Sequence, residues 1–245
     1  MKFNNDINEY LTGNKFSTGL DIDFSKEKFV NKSRIEKIID ICRDKNIIHL
    51  GCADHLPLIE KKIREKRWLH KILIENTNNC FGIDNNQEAV DFIKNTLKIN
   101  DVYDLDITKE TPDFPQNIEF DYILLGEIIE HIDNPVEFLQ IIREKFKDRC
   151  KKIIITVPNV FCLSTINDIK RNKENINTDH RYWFSPFTLT KIALISGYKD
   201  IEFSFAEQVS LPIIKKIKKR VWSLFGKKIK LNANCFSSII IVSKL

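Results

Sequence analysis

Glu127, Glu130 and His131 follow at once on the apolar run Ile123, Leu124 and Leu125. If this segment turns helically, their i, i+3, i+4 spacing gathers the three side chains on one face. His180 can complete a set of four. Two carboxylates with two imidazoles suit a divalent cation, which orients an acceptor hydroxyl and lowers its pKa. Without a cation, the group offers a base that titrates near neutrality, His131 first and His180 second. The competing reading is a helix cap with a solvated face. Two more carboxylates, Asp84 and Asp106, stand at the ends of apolar runs. A carboxylate at the tip of a second strand can accept both hydroxyls of a ribose lying across a sheet, and one at the tip of a third can take a bond from an adenine amino group. Strand-end aspartates also form turns, so each has a plain structural alternative.

These residues need a frame that brings strand ends together. Short apolar runs at residues 47–50, 80–84, 102–107, 120–125 and 153–157 alternate with helical patterns at 29–43, 56–73, 87–99 and 135–146. A further helix is capped by Ser185 and Pro186 and ends at Gly197, where a left-handed residue terminates it. Two late strands, 201–205 and 236–242, have no crossover helix between them. The pattern predicts an α/β fold, a Rossmann-like, doubly wound, mostly parallel seven-stranded sheet with an antiparallel last strand. Ligands of such sheets sit beyond the carboxyl ends of the strands, where the candidate residues fall. Residues 1–28 read as a loosely structured arm over a single domain at 29–245.

Composition narrows the function classes. Hydrophobic content of 42% marks a globular chain, and no run approaches the roughly 20 apolar residues of a membrane span. Six cysteines without a CxxC pair read as reduced core thiols, and a cytoplasmic location is the expectation. The net charge of +5 is modest, but residues 211–230 carry Lys215, Lys216, Lys218, Lys219, Arg220, Lys227, Lys228 and Lys230 with no acid. Apolar residues interleave. This amphipathic insertion, at about 207–233, reads as a peripheral contact with an anionic membrane, a phosphate grip, or a basic outer face on a core-packed segment.

The order of these features resembles the class I S-adenosylmethionine-dependent methyltransferases of the small-molecule and glycan-type branch, over residues 30–245. His49 to Asp54 occupies the place of that family's glycine-rich loop, Gly82 to Asp84 that of its ribose-binding acid, and Leu105-Asp106 that of its adenine contact. Phe120 to Ile123, Glu130 to Ile132 and Asn134-Pro135 are similar to its fourth motif, and Val157 to Asn159 to its turn after strand five. Residues 179–198 look like its penultimate helix and lead-in. The first loop departs from the pattern, since His49 stands where an acid is usual and Ala53 and His55 replace glycines. The resemblance implies S-adenosyl-L-methionine bound by Gly51, Cys52, Ala53, Ile83, Asp84, Asp106, Ile107 and Gly126. It also implies catalytic roles for His131, His180 and Glu130. The set Glu127, Glu130, His131 and His180 is similar to one used by small-RNA 2′-hydroxyl methyltransferases, but Glu-His after strand four also occurs in relatives that need no metal, so a divalent metal is an option there and not the expected cofactor.

A variant with His49-Leu-Gly-Cys52, Asp54-His55 and Trp68 to Lys71 resembles methyltransferases that accompany surface-polysaccharide synthesis. The expected reaction is therefore O-methylation of a small acceptor such as a glycan sugar. Methylation of RNA termini and a non-catalytic cofactor-binding module are the alternatives.

Overall fold

The computed structural model describes residues 1–209 and 231–245. Its seven strands are β1 (Asn46–Leu50), β2 (Asn79–Asp84), β3 (Val102–Asp104), β4 (Phe120–Gly126), β5 (Cys150–Pro158), β6 (Lys199–Gln208) and β7 (Phe236–Lys244). They form one sheet in the order β3-β2-β1-β4-β5-β7-β6. The first five run parallel, and β7 is antiparallel to both β5 and β6. The expected topology is present, including the single reversed strand.

Register brings the strand ends together. Leu50 pairs with Ile83 on one side and Leu125 on the other, and Gly126 pairs with Thr156. The carboxyl ends of β1, β2, β4 and β5 therefore finish almost level. Sheet order reverses between β1 and β4, which opens the crevice there. Helices α1 (Asn5–Leu11), α2 (Arg34–Cys42), α3 (Leu56–Arg64), α4 (Leu69–Ile74), α5 (Gln87–Asn95), α6 (Pro135–Phe146), α7 (Leu163–Ile169) and α8 (Pro186–Ile195) surround the sheet. Burial of the central strands explains why they read as continuous apolar runs: Ile47, Ile48, Ile123, Leu124, Leu125 and Ile153 to Ile155 are inaccessible to solvent.

Four expectations are corrected. The helix expected at 56–73 is two helices, because Arg64 to Arg67 interrupt the apolar stripe with charge and Lys66 adopts a left-handed φ of 53°. The helix expected from residue 29 starts at Arg34, where Ser33 and Glu36 form a reciprocal capping box. The third strand stops at Asp104, short of Asp106. The N-terminal arm is loose only in part: Phe3 and Leu11 are buried in the main core and the terminal amino group donates to the carbonyl of Phe203 at 2.8 Å, whereas residues 12–33 carry no helix or strand. Helix α7 was not foreseen, and none of its residues is buried. At Gly197 the expected left-handed residue is present, with φ of 92°. The basic run at 211–230 lies outside the described residues.

Candidate active site

Backbone geometry builds the cleft first. Gly51 ends β1 with a φ of 63°, and a Cβ there would come within 2.9 Å of the Ile128 side chain. Glycine is thus required by both conformation and space. Its amide donates to the Ile83 carbonyl at 2.9 Å, tying the loop to β2. The Asp84 carboxylate at the tip of β2 accepts bonds from the Ala53 amide at 2.9 Å and the Asn86 amide at 3.1 Å. Burial nevertheless holds its pKa above the ordinary value, the backbone bonds acting in the opposite sense. An acid fixed in this way presents preset acceptors to a pair of hydroxyls.

Gly51, Ile83, Asp84, Asp106 and Ile107 all line one cleft of about 540 Å³, and His131 lines it too. Among the expected cofactor residues, Cys52, Ala53 and Gly126 stand apart from this lining. Cys52 is buried, and its sulfur is one of the atoms that leave no room for a Cβ at Gly82. Ala53 acts through its amide on Asp84. Asp106 reaches the cleft from the loop beyond β3, where its carboxylate accepts bonds from the Thr108 amide and hydroxyl and pairs with Lys109. These bonds, the Thr108 hydroxyl first, hold its pKa down to about 2. His55, the other departure from the family loop, is exposed and does not intrude.

The acceptor-side cluster lies just past β4. Residues Ile129–His131 form a single 3₁₀ turn, not the helical turn that the spacing assumed. Glu127 precedes it in a left-handed conformation, φ 59°, and its side chain turns aside. Its Oε1 accepts a bond from the Thr156 hydroxyl at 3.0 Å and lies 3.8 Å from Arg34 Nε. The other three expected ligands converge: one ligand atom each from Glu130, His131 and His180 lies within 4.8 Å of the others. The imidazole centroids are 4.6 Å apart and nearly perpendicular.

Glu130 is fully buried, and neither of its carboxylate oxygens has a hydrogen-bond partner. Burial, and then the charge of Glu127, push its pKa up to about 8. His180 is held below its ordinary pKa by burial and by His131, which favours the neutral imidazole that a cation requires. The strand-free segment carrying His180 is clamped to the 3₁₀ turn. The Arg181 amide donates to the Glu130 carbonyl at 2.7 Å, its guanidinium pairs with Asp133, and the Tyr182 hydroxyl donates to the Asp133 carbonyl at 2.7 Å. A buried acid without partners beside two imidazoles fits a divalent cation in donor type and charge.

Arg34, Thr156, Ile128 and Glu137 were missed from sequence. Glu137, on the cleft wall, was detectable as the N3 acid of the helix capped by Asn134. Arg34 and Thr156 carry no comparable local signal.

The profile of a family described as a methyltransferase domain matches residues 28–202. No curated protein sequence matches the chain. Similar folds occur in an S-adenosylmethionine-dependent methyltransferase of Archaeoglobus fulgidus, at 21% identity and a TM-score of 0.50, covering 86% of this chain and 91% of that one. Another such methyltransferase, from Thermotoga maritima, is similar at 11% identity and a TM-score of 0.52, covering 86% and 87%. The small RNA methyltransferase HEN1 is similar at 18% identity and a TM-score of 0.55, covering 91% of this chain but 27% of that one. The chain belongs to the methyltransferase domain family, S-adenosylmethionine-dependent enzymes of the class I fold.

Proposed function

We propose that this methyltransferase delivers its methyl group to a hydroxyl oxygen on a sugar of a surface glycan, held beside Glu130, His131 and His180. The observation that carries the reading is the Glu130 carboxylate, buried without a partner beside two imidazoles. Asp84 would hold the ribose of S-adenosylmethionine, the backbone at Gly51 would give its methionine part close approach, and Ile83 and Ile107 would pack against its adenine. The bound cofactor supplies an electrophilic methyl group on a sulfonium. A divalent ion held by Glu130, His131 and His180 would supply charge that lowers the pKa of the acceptor hydroxyl. As an ion ligand His131 would have no free lone pair, and the acceptor proton would leave to solvent; without an ion His131, which lines the cleft, would take that proton itself. The clamp through Arg181 and Tyr182 holds the segment carrying His180 against the turn. Glu127 is a fourth ligand in this proposal, reached by exchanging Thr156 and Arg34 for the ion.

Methylation of a ribose 2′-hydroxyl at an RNA end is the second reading. It is favoured by the sequence pattern of Glu127, Glu130, His131 and His180, similar to that of small-RNA 2′-hydroxyl methyltransferases. Among the described residues no helix is long and apolar enough to cross a membrane, and peripheral membrane contact through residues 211–230 remains part of the glycan reading.

Transfer of a radiolabelled methyl group to nucleotide sugars, glycan fragments and short RNAs, with and without chelator, tests the proposal. The expected result is label on oxygen of a sugar acceptor, lost on chelation and restored by Mg²⁺ or Mn²⁺. Label confined to RNA ends selects the second reading. Turnover indifferent to both chelation and His131→Ala overturns the site.

A further inference from the structure

A second cavity, of about 530 Å³, shares no lining residue with the cofactor cleft. The N-terminal arm forms one side, and the start of α8 with the loop after β5 forms the other. Its lining includes the rings of Phe16, Phe161 and Phe187, the side chain of Ile22, and two ammonium groups, Lys15 and Lys191, without a carboxylate. Phe16 is 88% exposed and Phe161 53%, far more than rings that serve only packing. Lys191 Nζ donates to the Tyr10 carbonyl at 3.3 Å, and Lys15 pairs with Asp6 at 2.9 Å on the exposed outer side. The size is that of a small-molecule site.

The cavity lies along the chain segment that follows His180. His180 belongs to the cluster with Glu130, and Ser185, five residues on, lines the cavity. Five extended residues span at most about 18 Å. The Val160 amide donates to the Phe184 carbonyl at 3.0 Å, which sets Phe161 beside that same segment.

We propose that this cavity is a binding site, separate from the reacting centre, for a flat aromatic molecule carrying an acidic group such as phosphate or carboxylate. Aromatic rings at the wall favour edge and offset contacts with another ring. Lys191, bonded to the neutral Tyr10 carbonyl, favours an anion beside these rings, while Lys15 shares its charge with Asp6.

Calorimetry on the full chain with 2-naphthyl phosphate tests it, with 2-naphthol, decyl phosphate and inorganic phosphate in parallel. The naphthyl phosphate should bind more tightly than 2-naphthol by about threefold, the scale of an exposed charge contact. It should also bind more tightly than decyl phosphate or inorganic phosphate. Phe16→Ala with Phe161→Ala should weaken it by at least about fivefold, as two ring contacts predict, and Lys15→Gln with Lys191→Gln should erase its advantage over 2-naphthol. S-adenosylmethionine at saturation and His131→Ala should leave the affinity unchanged, so that failure of the catalytic reading does not disturb this measurement. Absence of binding, equal binding by the Phe16/Phe161 variant, preference for decyl phosphate, or competition with S-adenosylmethionine overturns the proposal.

Discussion

The molecule holds two close histidine pairs with opposite surroundings. His49 and His70 lie below the cleft, fully buried, with their Nδ1 atoms 3.2 Å apart. One must donate and the other accept, which two neutral rings of complementary tautomer satisfy. Burial drives both pKa values down, His70 to about 4 and His49 well below its ordinary value. The Cys80 sulfur, 3.7 Å from His70 Nδ1, adds a soft neighbour and no anion. His131 and His180, by contrast, flank the partnerless Glu130 carboxylate, and His131 lines the cleft. Imidazole proximity is common to both pairs; the buried acid distinguishes the one suited to ion binding. The first pair also accounts for a departure from the family loop. His49 stands where an acid is usual because it packs on His70 of the Trp68 to Lys71 segment.

Exchanging the two pairs' fates gives the largest expected effects. Glu130→Ala or His131→Ala should lower turnover by at least about a hundredfold, the upper range for merely removing support from a metal ligand. The double variant His49→Leu, His70→Leu should retain turnover per folded molecule, since neutral packing is replaced by apolar packing. Steady-state rates on protein checked by circular dichroism decide this. If the double variant is as inactive as His131→Ala, the two pairs are not functionally distinct.

The cofactor side comes next in size. Asp84→Ala should weaken S-adenosylmethionine by about tenfold or more, because it removes the charged acceptor expected at two hydroxyls, worth about 1.4 kcal/mol or more. Calorimetry reads this directly, and unchanged affinity would remove Asp84 from the ribose site.

Stability against pH contrasts the same two regions. Glu130 has a folded pKa of about 8 against an ordinary 4.5. The fold favours its protonated form, so this contribution is fully present below about pH 4.5 and is lost as pH rises towards 8. His70 has a folded pKa of about 4 against 6.5. Its neutral form is favoured, so its contribution is present above pH 6.5 and is lost as pH falls towards 4. Thermal melts of chelated protein should show both limbs. Glu130→Gln should flatten the alkaline one, and Mn²⁺ should reverse it in the native chain alone. An alkaline limb unchanged in Glu130→Gln would place the titrating group elsewhere.

Much of the frame was legible because its signals are local. Central strands buried on both faces gave unbroken apolar runs, Pro135 and Pro186 marked helix starts, and Gly51 and Gly197 marked left-handed turns. Level strand ends then made Asp84 and His131 neighbours of one cleft. What escaped depends on longer range. The break between α3 and α4 turns on charges that cost the helix its stripe. Phe3 and Leu11 reach a core that no local periodicity announces. Glu127 escaped because the spacing rule assumes helical backbone, whereas a left-handed residue followed by a 3₁₀ turn sends neighbouring side chains in different directions. Arg34 and Thr156, which hold it, come from α2 and β5.

Glu127 therefore offers the finest cut through the comparison, and the smallest effect. In the structure its carboxylate is satisfied by Thr156 and near Arg34, whereas Glu130 has no partner. To join an ion it must give up a neutral hydrogen bond and a loose ion pair, together worth about 1–2 kcal/mol, which offsets much of what a fourth ligand adds. Glu127→Gln should therefore weaken Mn²⁺ by roughly three- to tenfold, against about a hundredfold for Glu130→Gln. Because the charge of Glu127 helps to raise the Glu130 pKa, the same variant should move the alkaline limb of the melting profile to lower pH. Manganese titration followed by electron paramagnetic resonance, beside the pH melts, separates the roles. A shifted limb with unchanged manganese affinity makes Glu127 a charged neighbour held in place by Thr156, and a loss as large as that of Glu130→Gln makes it an equal ligand.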